Sequence, residues 1–174
     1  MNEIKYFTAR VEGDATLYLC QIPESQFRYG ATITLKTEYG VCLAIITSFL
    51  FDKLPAIRYG EAKFLAYASA ADRELNRERE KQAIGFRQAI RLQATEMGLD
   101  MNITHLLYPL KSETLVIYYT AKDRVDFRQL LPWLRENFKK RIIMRQISAD
   151  ERGEALAHYS SLGHLQGVSE IHRR

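Results

Sequence analysis

The first fifty residues consist of short apolar runs rich in β-branched and aromatic side chains, a composition typical of strands. Turn-forming pairs that contain Gly13, Gly30 and Gly40 separate these runs. The runs cover residues 4–11, 15–22, 31–37 and 41–49. Four short strands at this spacing are typical of a small antiparallel barrel or sandwich, and we predict a barrel-like domain over residues 1–55.

A different pattern begins at residue 62, where helical periodicity interrupts the strand-like runs. The predicted order is strand 62–69, helix 72–97 closed by Gly98, strands 101–108 and 113–120, a second helix, and strand 141–148. Each helix has one apolar stripe, formed by Ala83, Phe86, Ile90, Ala94 and Met97 in the first and by Phe127, Leu130, Leu131, Leu134 and Phe138 in the second.

This order of elements is that of a ferredoxin-like βαββαβ domain, in which the helices cover one face of the sheet. We therefore predict an α+β protein with a small N-terminal antiparallel β-barrel, a ferredoxin-like domain over residues 62–150, and a C-terminal helix and tail over residues 151–174.

The start of the second helix is ambiguous. Asp126 is a candidate N-cap, with Gln129 three residues later as its capping-box partner. Pro132 would then interrupt the helix, because proline removes a hydrogen bond and clashes with the preceding turn. The sequence therefore predicts either a kink at this proline or a helix that begins near Leu131.

Composition is that of an ordinary folded domain, with 47% hydrophobic and 26% charged residues in a chain of 174. The net charge of +4 is unevenly distributed. Residues 1–70 contain seven basic and seven acidic groups, whereas residues 122–145 contain eight basic and three acidic groups. A local excess of this kind predicts an anionic partner, of which nucleic acid is the commonest, or else a well-solvated basic face.

Six basic residues in this segment are the candidate phosphate ligands: Arg124, Arg128, Lys139, Lys140, Arg141 and Arg145. On the last strand, Arg141 and Arg145 share one face, and we expect it to be the open face opposite the helices. Arg124 and Arg128 precede the second helix, where backbone N–H groups attract anions. The alternative is that these two arginines pair with nearby aspartates, namely Asp100, Asp123 or Asp126.

Cysteines and histidines do not form a recognisable site. Cys20 and Cys42 both lie in apolar runs, which predicts buried free thiols and a cytoplasmic location. No two of the four histidines, His105, His158, His164 and His172, have the spacing of metal ligands. Nucleophile, phosphate-loop and paired-carboxylate signatures are also absent from the sequence, so we predict no enzyme activity, no metal and no cofactor.

Several motifs of the second half resemble a known family. They are residues 98–101 (GLDM), 119–121 (YTA), 124–128 (RVDFR) and 145–147 (RQI), preceded by a long charged helix. Together they are similar to the C-terminal domain of the polymerase-suppressor ("PSP-one") family, whose bacterial members include the RicT- and YaaT-type regulators. The resemblance implies a regulator that joins small partner proteins and assists RNA processing, with no agreed catalytic residues.

One family feature is missing from this chain. Many bacterial members continue into a cysteine cluster associated with iron–sulfur centres, whereas the matching residues 151–167 contain no cysteine. A thiolate-ligated cluster needs thiolates, so the resemblance does not carry a cluster to this chain. Whether His158 and His164 replace the missing ligands is left open by the sequence.

The function predicted from these observations is a non-catalytic accessory protein that binds nucleic acid in an RNA-processing or regulatory complex. RNA is the first expected partner and DNA the second, together with protein subunits of the complex and without membrane insertion. The alternative is a protein–protein adaptor that uses the charged helix 72–82 and the C-terminal tail; its candidate contact residues are Arg77, Glu78 and Trp133. A nuclease is the least favoured hypothesis.

Overall fold

The computed structural model describes residues 2–14, 16–54 and 59–148. Six strands form the first sheet: β1 (Ile4–Val11), β2 (Leu17–Pro23), β3 (Thr32–Thr37), β4 (Gly40–Ile46), β5 (Gly60–Glu61) and β6 (Lys63–Tyr67). A single 3-10 turn, Glu24–Gln26, follows β2. The strand order is β5-β2-β1-β4-β3-β6. Since β5 and β6 are consecutive in the chain and lie at opposite edges, the sheet curls into a nearly closed barrel.

The second sheet has three strands, β7 (Asn102–Leu107), β8 (Thr114–Thr120) and β9 (Arg141–Gln146). β7 and β8 are antiparallel, whereas β8 and β9 are parallel and are joined through helix α2 (Leu130–Phe138). Helix α1 (Ala70–Glu96) connects the two sheets and packs along β7.

The second sheet lies between the barrel and the helices, because successive side chains of a strand point to opposite faces. On β8, Val116 and Tyr118 belong to the core of the barrel, whereas Leu115 and Ile117 belong to the core under the helices. All four are at most 1% exposed. The protein is therefore built as three layers, and the middle sheet is apolar on both sides.

Helix α1 begins and ends with strong local signals. The Ser69 hydroxyl accepts a hydrogen bond from the Asp72 N–H, and the Asp72 carboxylate accepts one from the Ser69 N–H, which forms a capping box. Gly98, at a φ of +71°, follows the last turn. The predicted apolar stripe of α1 is confirmed, since all five of its members pack in the core beneath the helices.

The interpretation of Asp126 as a helix cap is wrong. Helix α2 begins at Leu130, with Gln129 in the N-cap position and no side-chain cap. Pro132 is thus the third residue of the helix, where a backbone N–H has no partner within the helix in any case, so the proline costs no hydrogen bond. Of the two predicted alternatives, the later start is the one that the structure adopts.

The α+β class, with a barrel-like sheet followed by a second sheet that carries helices, is confirmed. The structure differs from a ferredoxin-like arrangement in one strand, because β6 pairs with β3 of the barrel rather than with the second sheet. This pairing satisfies the edge of β3 and packs Phe64 and Tyr67 against the barrel core. The C-terminal helix and tail predicted for residues 151–174 lie outside the described residues.

Two glycines give a test of the fold. Gly40 has a φ of +122°, and a Cβ there would lie 2.5 Å from the Cβ of Ser112. Gly85 lies within α1, and a Cβ there would meet nothing within 4 Å. We expect Gly40→Ala to lower the free energy of unfolding by about 2 kcal/mol.

The matched substitution Gly85→Ala should instead raise that free energy by about 0.5–1 kcal/mol, because alanine is the better helix former. Urea denaturation measures both values. Equal effects of the two substitutions would contradict the close approach of the β3–β4 turn to the β7–β8 connection.

Candidate nucleic-acid interface

The parallel pairing of β8 and β9 divides the basic segment into two groups. Thr114 at the start of β8 lies opposite Arg141 at the start of β9. The loop that contains Arg124 and Arg128 follows the other end of β8. A strand of this length spans about 20 Å, so basic residues that are neighbours in sequence lie at opposite ends of the sheet. We name Arg124 and Arg128 the loop cluster, and residues 139–141 the strand-start cluster.

In the loop cluster, Arg128 forms a close ion pair with Asp126, whereas Arg124 interacts with the same carboxylate through its charge. The Arg128 guanidinium donates to Asp126 Oδ2 at 2.6 Å, and the Arg128 N–H donates to Asp126 Oδ1 at 3.0 Å. These hydrogen bonds from Arg128 lower the pKa of the Asp126 carboxyl to about 2. Arg124 is exposed and has no ion pair within the part of the chain that the structure describes. The predicted aspartate pairing is thus seen for Arg128.

In the strand-start cluster, Lys139 and Arg141 are exposed, whereas Lys140 is held against the protein. Lys139 ends α2 in the left-handed region at a φ of 52°, with its N–H donating to the Arg135 carbonyl. The Lys140 ammonium lies 3.1 Å from a Glu113 carboxylate oxygen and 4.7 Å from the ring centre of Tyr108. Only the outer two members of the cluster are therefore available to a ligand.

Arg145 points into the protein rather than to an open face, because the barrel covers that face of the second sheet. Its guanidinium lies 3.7 Å from Asp14 Oδ1 and donates to Thr16 Oγ1 at 3.2 Å. It also lies 5.5 Å from the ring centre of Tyr118. The expectation that this arginine lies on an open face does not hold, and its side chain joins the two sheets.

Asp14 is the acidic partner at this junction and has no exposed surface. Its Oδ2 accepts a hydrogen bond from the Tyr18 hydroxyl at 2.8 Å, and its Oδ1 accepts one from the Thr16 N–H at 2.9 Å. Burial and the neighbouring Asp14 carboxylate raise the pKa of Tyr18, which keeps the phenol protonated as a donor. The carboxylate thus accepts hydrogen bonds from its own turn and from β2, and Arg145 of β9 supplies the opposite charge.

His105 on β7 lies beside this junction. Its ring stacks on Tyr118, with ring centres 4.4 Å apart and an interplanar angle of 12°. Its Nδ1 is 3.1 Å from the Thr104 hydroxyl. Burial, as the largest cause, lowers the pKa of His105 to about 3, so the imidazole is neutral at physiological pH. The other three histidines lie outside the described residues.

The residues predicted to contact a protein partner occupy two separate places. Arg77 is exposed on α1 and pairs with Glu74 at 2.7 Å, while Glu78 is exposed beside it. Trp133 on α2 is half-buried and makes an edge-on contact with Phe138 at 5.8 Å. The tryptophan therefore contributes to the packing of the helical layer and lies on a different helix from the two charged residues.

Both cysteines are buried free thiols, as predicted. Cys20 lies on β2 and Cys42 on β4, and burial raises the pKa of each thiol to about 12. They are inert packing groups in the barrel core. Within the described residues no three histidine, cysteine or acidic side chains converge to a metal-binding arrangement.

Two features of the structure were not predicted from the sequence. Asp14 follows Gly13, and this pair is typical of an ordinary turn. The residues around Asp14 contain no signal that β9 brings an arginine to its carboxylate. Tyr29 and Phe49 stack with ring centres 4.0 Å apart and are 58% and 67% exposed. They come from loops twenty residues apart, so only the barrel brings them together.

The comparisons with known proteins agree with the resemblance seen in the sequence. Residues 62–147, from just before β6 to just after β9, match the PSP1 C-terminal conserved region. Residues 62–147 therefore form a PSP1 C-terminal region, and the predicted resemblance is confirmed.

Among curated proteins, the Stage 0 sporulation protein YaaT of Bacillus subtilis (strain 168) is 28% identical over 103 residues. The alignment covers 59% of this chain but 38% of the Bacillus protein, so this chain corresponds to well under half of that relative. No solved structure matches the chain. In the described part of the chain, neither helix has the length and apolar character needed to cross a membrane.

The ion pair between the sheets can be tested by removing its cation. We expect Arg145→Met to lower the free energy of unfolding by about 2 kcal/mol, because Asp14 would remain buried without its counter-charge. The loss is smaller than for a fully buried pair, since the Arg145 side chain is 33% exposed. Arg141→Met, on the same strand but exposed, is the control and should change the value by less than about 0.5 kcal/mol. Urea denaturation that shows no difference between them would contradict this role.

The buried histidine predicts a pH dependence of stability. The unfolded chain takes up a proton on His105 below about pH 6.5, whereas the folded protein does not until about pH 3. Stability should therefore fall as the pH is lowered from about 6.5 towards 5, by on the order of 1 kcal/mol per pH unit. His105→Phe keeps an aromatic ring but does not titrate, so its slope in urea titrations should be flatter. An unchanged slope would show that His105 is not the group responsible.

Proposed function

We propose that this protein is a non-catalytic accessory protein that binds single-stranded nucleic acid, with RNA the favoured form, through the two basic clusters at the ends of the second sheet. The observation that carries the proposal is the exposure of Arg124, Lys139 and Arg141, none of which has an ion pair among the described residues. Unpaired basic groups on a surface are the usual ligands of phosphates.

The spacing of the clusters supports an extended anion rather than a small one. The clusters are about 20 Å apart along β8, a distance that a chain of roughly six phosphates covers at the spacing of one strand of a duplex. A single phosphate could reach only one end of the sheet. Arg145 and Lys140 take no direct part, since both are engaged within the protein.

The relative supports a regulatory setting for such binding. It is described as a stage 0 sporulation protein, and from that description we carry over only an accessory role in regulation. The absence of catalytic signatures from the sequence supports a protein that binds without chemistry. RNA-processing partners in the cytoplasm, which the family resemblance implies, belong to this proposal.

Binding should depend strongly on salt. In fluorescence polarisation titrations with a labelled single-stranded RNA, Arg124→Gln and Arg141→Gln should each reduce the slope of log affinity against log salt by about 0.7, as one phosphate contact is lost. The loss should be the same for RNAs of different sequence, since phosphate contacts read no bases.

Lys53→Gln, an exposed lysine on the barrel, is the control and should leave the slope unchanged. Parallel titrations with DNA of the same sequence test the preference for RNA. If both arginine variants keep the wild-type slope of log affinity against log salt, the assignment of the two clusters as phosphate-binding sites is contradicted.

A second candidate function, a protein adaptor, is favoured by the exposed aromatic pair Tyr29 and Phe49. Stacked aromatic side chains at the centre of a surface are frequent anchors in protein interfaces. The Arg28 guanidinium lies 3.7 Å above the ring of the nearby Tyr67 and gives this end of the barrel a polar border. If the wild-type protein binds neither RNA nor DNA at about 50 mM salt, where phosphate binding is strong, the adaptor function replaces the first proposal.

A further inference from the structure

A cavity of about 450 Å³ lies between the middle of α1, from Asn76 to Arg91, and neighbouring residues of β1, β4 and β7. This volume falls within the range of small-molecule sites in proteins. No residue of the loop cluster or the strand-start cluster lines the cavity, although Lys140 of the latter contacts the ring of Tyr108 in its wall. Nothing in the proposed function uses it.

Much of the cavity wall is apolar. Aliphatic side chains come from the barrel, from α1, from β7 and from the segment after β7: Val11, Leu43, Ala83, Ile84, Leu106, Leu107, Pro109 and Leu110. A wall of this kind favours a ligand with an apolar body, because transferring that body out of water is favourable. The same apolar wall offers few hydrogen-bonding groups to a fully polar ligand.

The charged side chains of the wall are mostly cationic. Five basic residues of α1 line it: Arg77, Arg79, Lys81, Arg87 and Arg91. The Nε atoms of Arg79 and Arg87 are buried and have no hydrogen-bond partner among the described residues. A buried N–H without an acceptor costs free energy, so an acceptor supplied by a ligand would be favoured at these atoms.

The same two arginines are already held in place by their other nitrogens. Arg79 donates to the Tyr108 hydroxyl and lies 4.2 Å above the Tyr108 ring centre. Arg87 donates to the Thr104 carbonyl at 3.1 Å. Side chains anchored in this way lose little conformational freedom when a ligand binds, which is the advantage of a preorganised site.

The acidic residues of the wall do not cancel the positive charge. Glu12 hydrogen-bonds to Glu80, and Glu80 Oε1 in turn accepts a bond from Asn76 at 3.0 Å. Burial, followed by the bond to Glu80, raises the pKa of Glu12 to about 10, so Glu12 is protonated and uncharged at neutral pH. The cavity therefore keeps a clear positive excess.

We propose that this cavity is a binding site for a small amphipathic anion, a carboxylate or phosphate with an apolar body, whose charged group lies at Arg79 and Arg87 and whose body lies against Leu43 and Ile84. Through such a site, the concentration of a small metabolite would influence the regulatory activity of the protein. The anion is bound at the junction of the barrel with α1.

The experiment uses the full chain and the fluorescent anion 1-anilinonaphthalene-8-sulfonate, which joins a sulfonate to an aromatic body. We expect saturable binding at one site per chain. Octanoate and octyl phosphate should displace the probe at roughly tenfold lower concentration than neutral octanol, and the better of the two identifies the preferred anionic group. Displacement by octanol at equal concentration would overturn the proposal, since the site would then be only an apolar surface.

Two variants locate the binding. Arg79→Gln should weaken probe binding roughly tenfold, whereas Arg73→Gln, an exposed arginine of α1 outside the cavity, should leave it unchanged. Leu43→Trp fills the cavity from the barrel side and should abolish binding.

Thermal unfolding followed by circular dichroism checks that each variant is folded. If one variant does not fold, the proposal is tested by the other variant and by the displacement of the probe from the wild-type protein. Wild-type affinity in a folded Arg79→Gln or Leu43→Trp protein would overturn the proposal.

Discussion

The junction between the two sheets depends on a carboxylate that is completely removed from solvent. Asp14 lies in the turn after β1, and the barrel alone supplies it with neutral donors from Thr16 and Tyr18. Its counter-charge comes from Arg145, more than a hundred residues later, on the last described strand. Because a buried charge without a partner is costly, the second sheet is held in the one placement that brings this arginine to the carboxylate.

That placement determines what the rest of the second sheet can do. With one face on the barrel and the other under the helices, β8 is buried from Thr114 to Tyr119, so these residues leave no sheet surface for a ligand. The exposed basic groups of the two clusters lie at or beyond the strand ends, and Arg135 of the same segment is exposed on α2. Parallel pairing of β8 and β9 then separates them by the length of a strand, so a charged segment that is continuous in sequence becomes two distant clusters.

Helix α1 shows how one element serves two purposes along its length. Its second half contributes Ile90 and Ala94 to the core, and Arg91 donates to the Ile103 carbonyl, which satisfies the outer edge of β7. Its first half carries few apolar residues and cannot bury itself. The middle of the helix, from Asn76 to Arg91, forms one wall of the cavity beside the barrel, where the same arginine-rich surface that solvates the helix can also receive an anion.

Local sequence determined the elements of this protein. β-Branched runs, glycine turns and three-to-four spacing predicted eight of the described strands, both helices and their buried stripes, because these signals depend on neighbours in the chain. The motifs around residues 98–101 and 124–128 also predicted the family. Tertiary structure alone decided that β6 completes the barrel, that Arg145 turns inward to Asp14, and that Tyr29 meets Phe49. Each of these contacts depends on a partner that is distant in sequence. A local sequence pattern does not indicate which distant residue the packing of the sheets brings into contact.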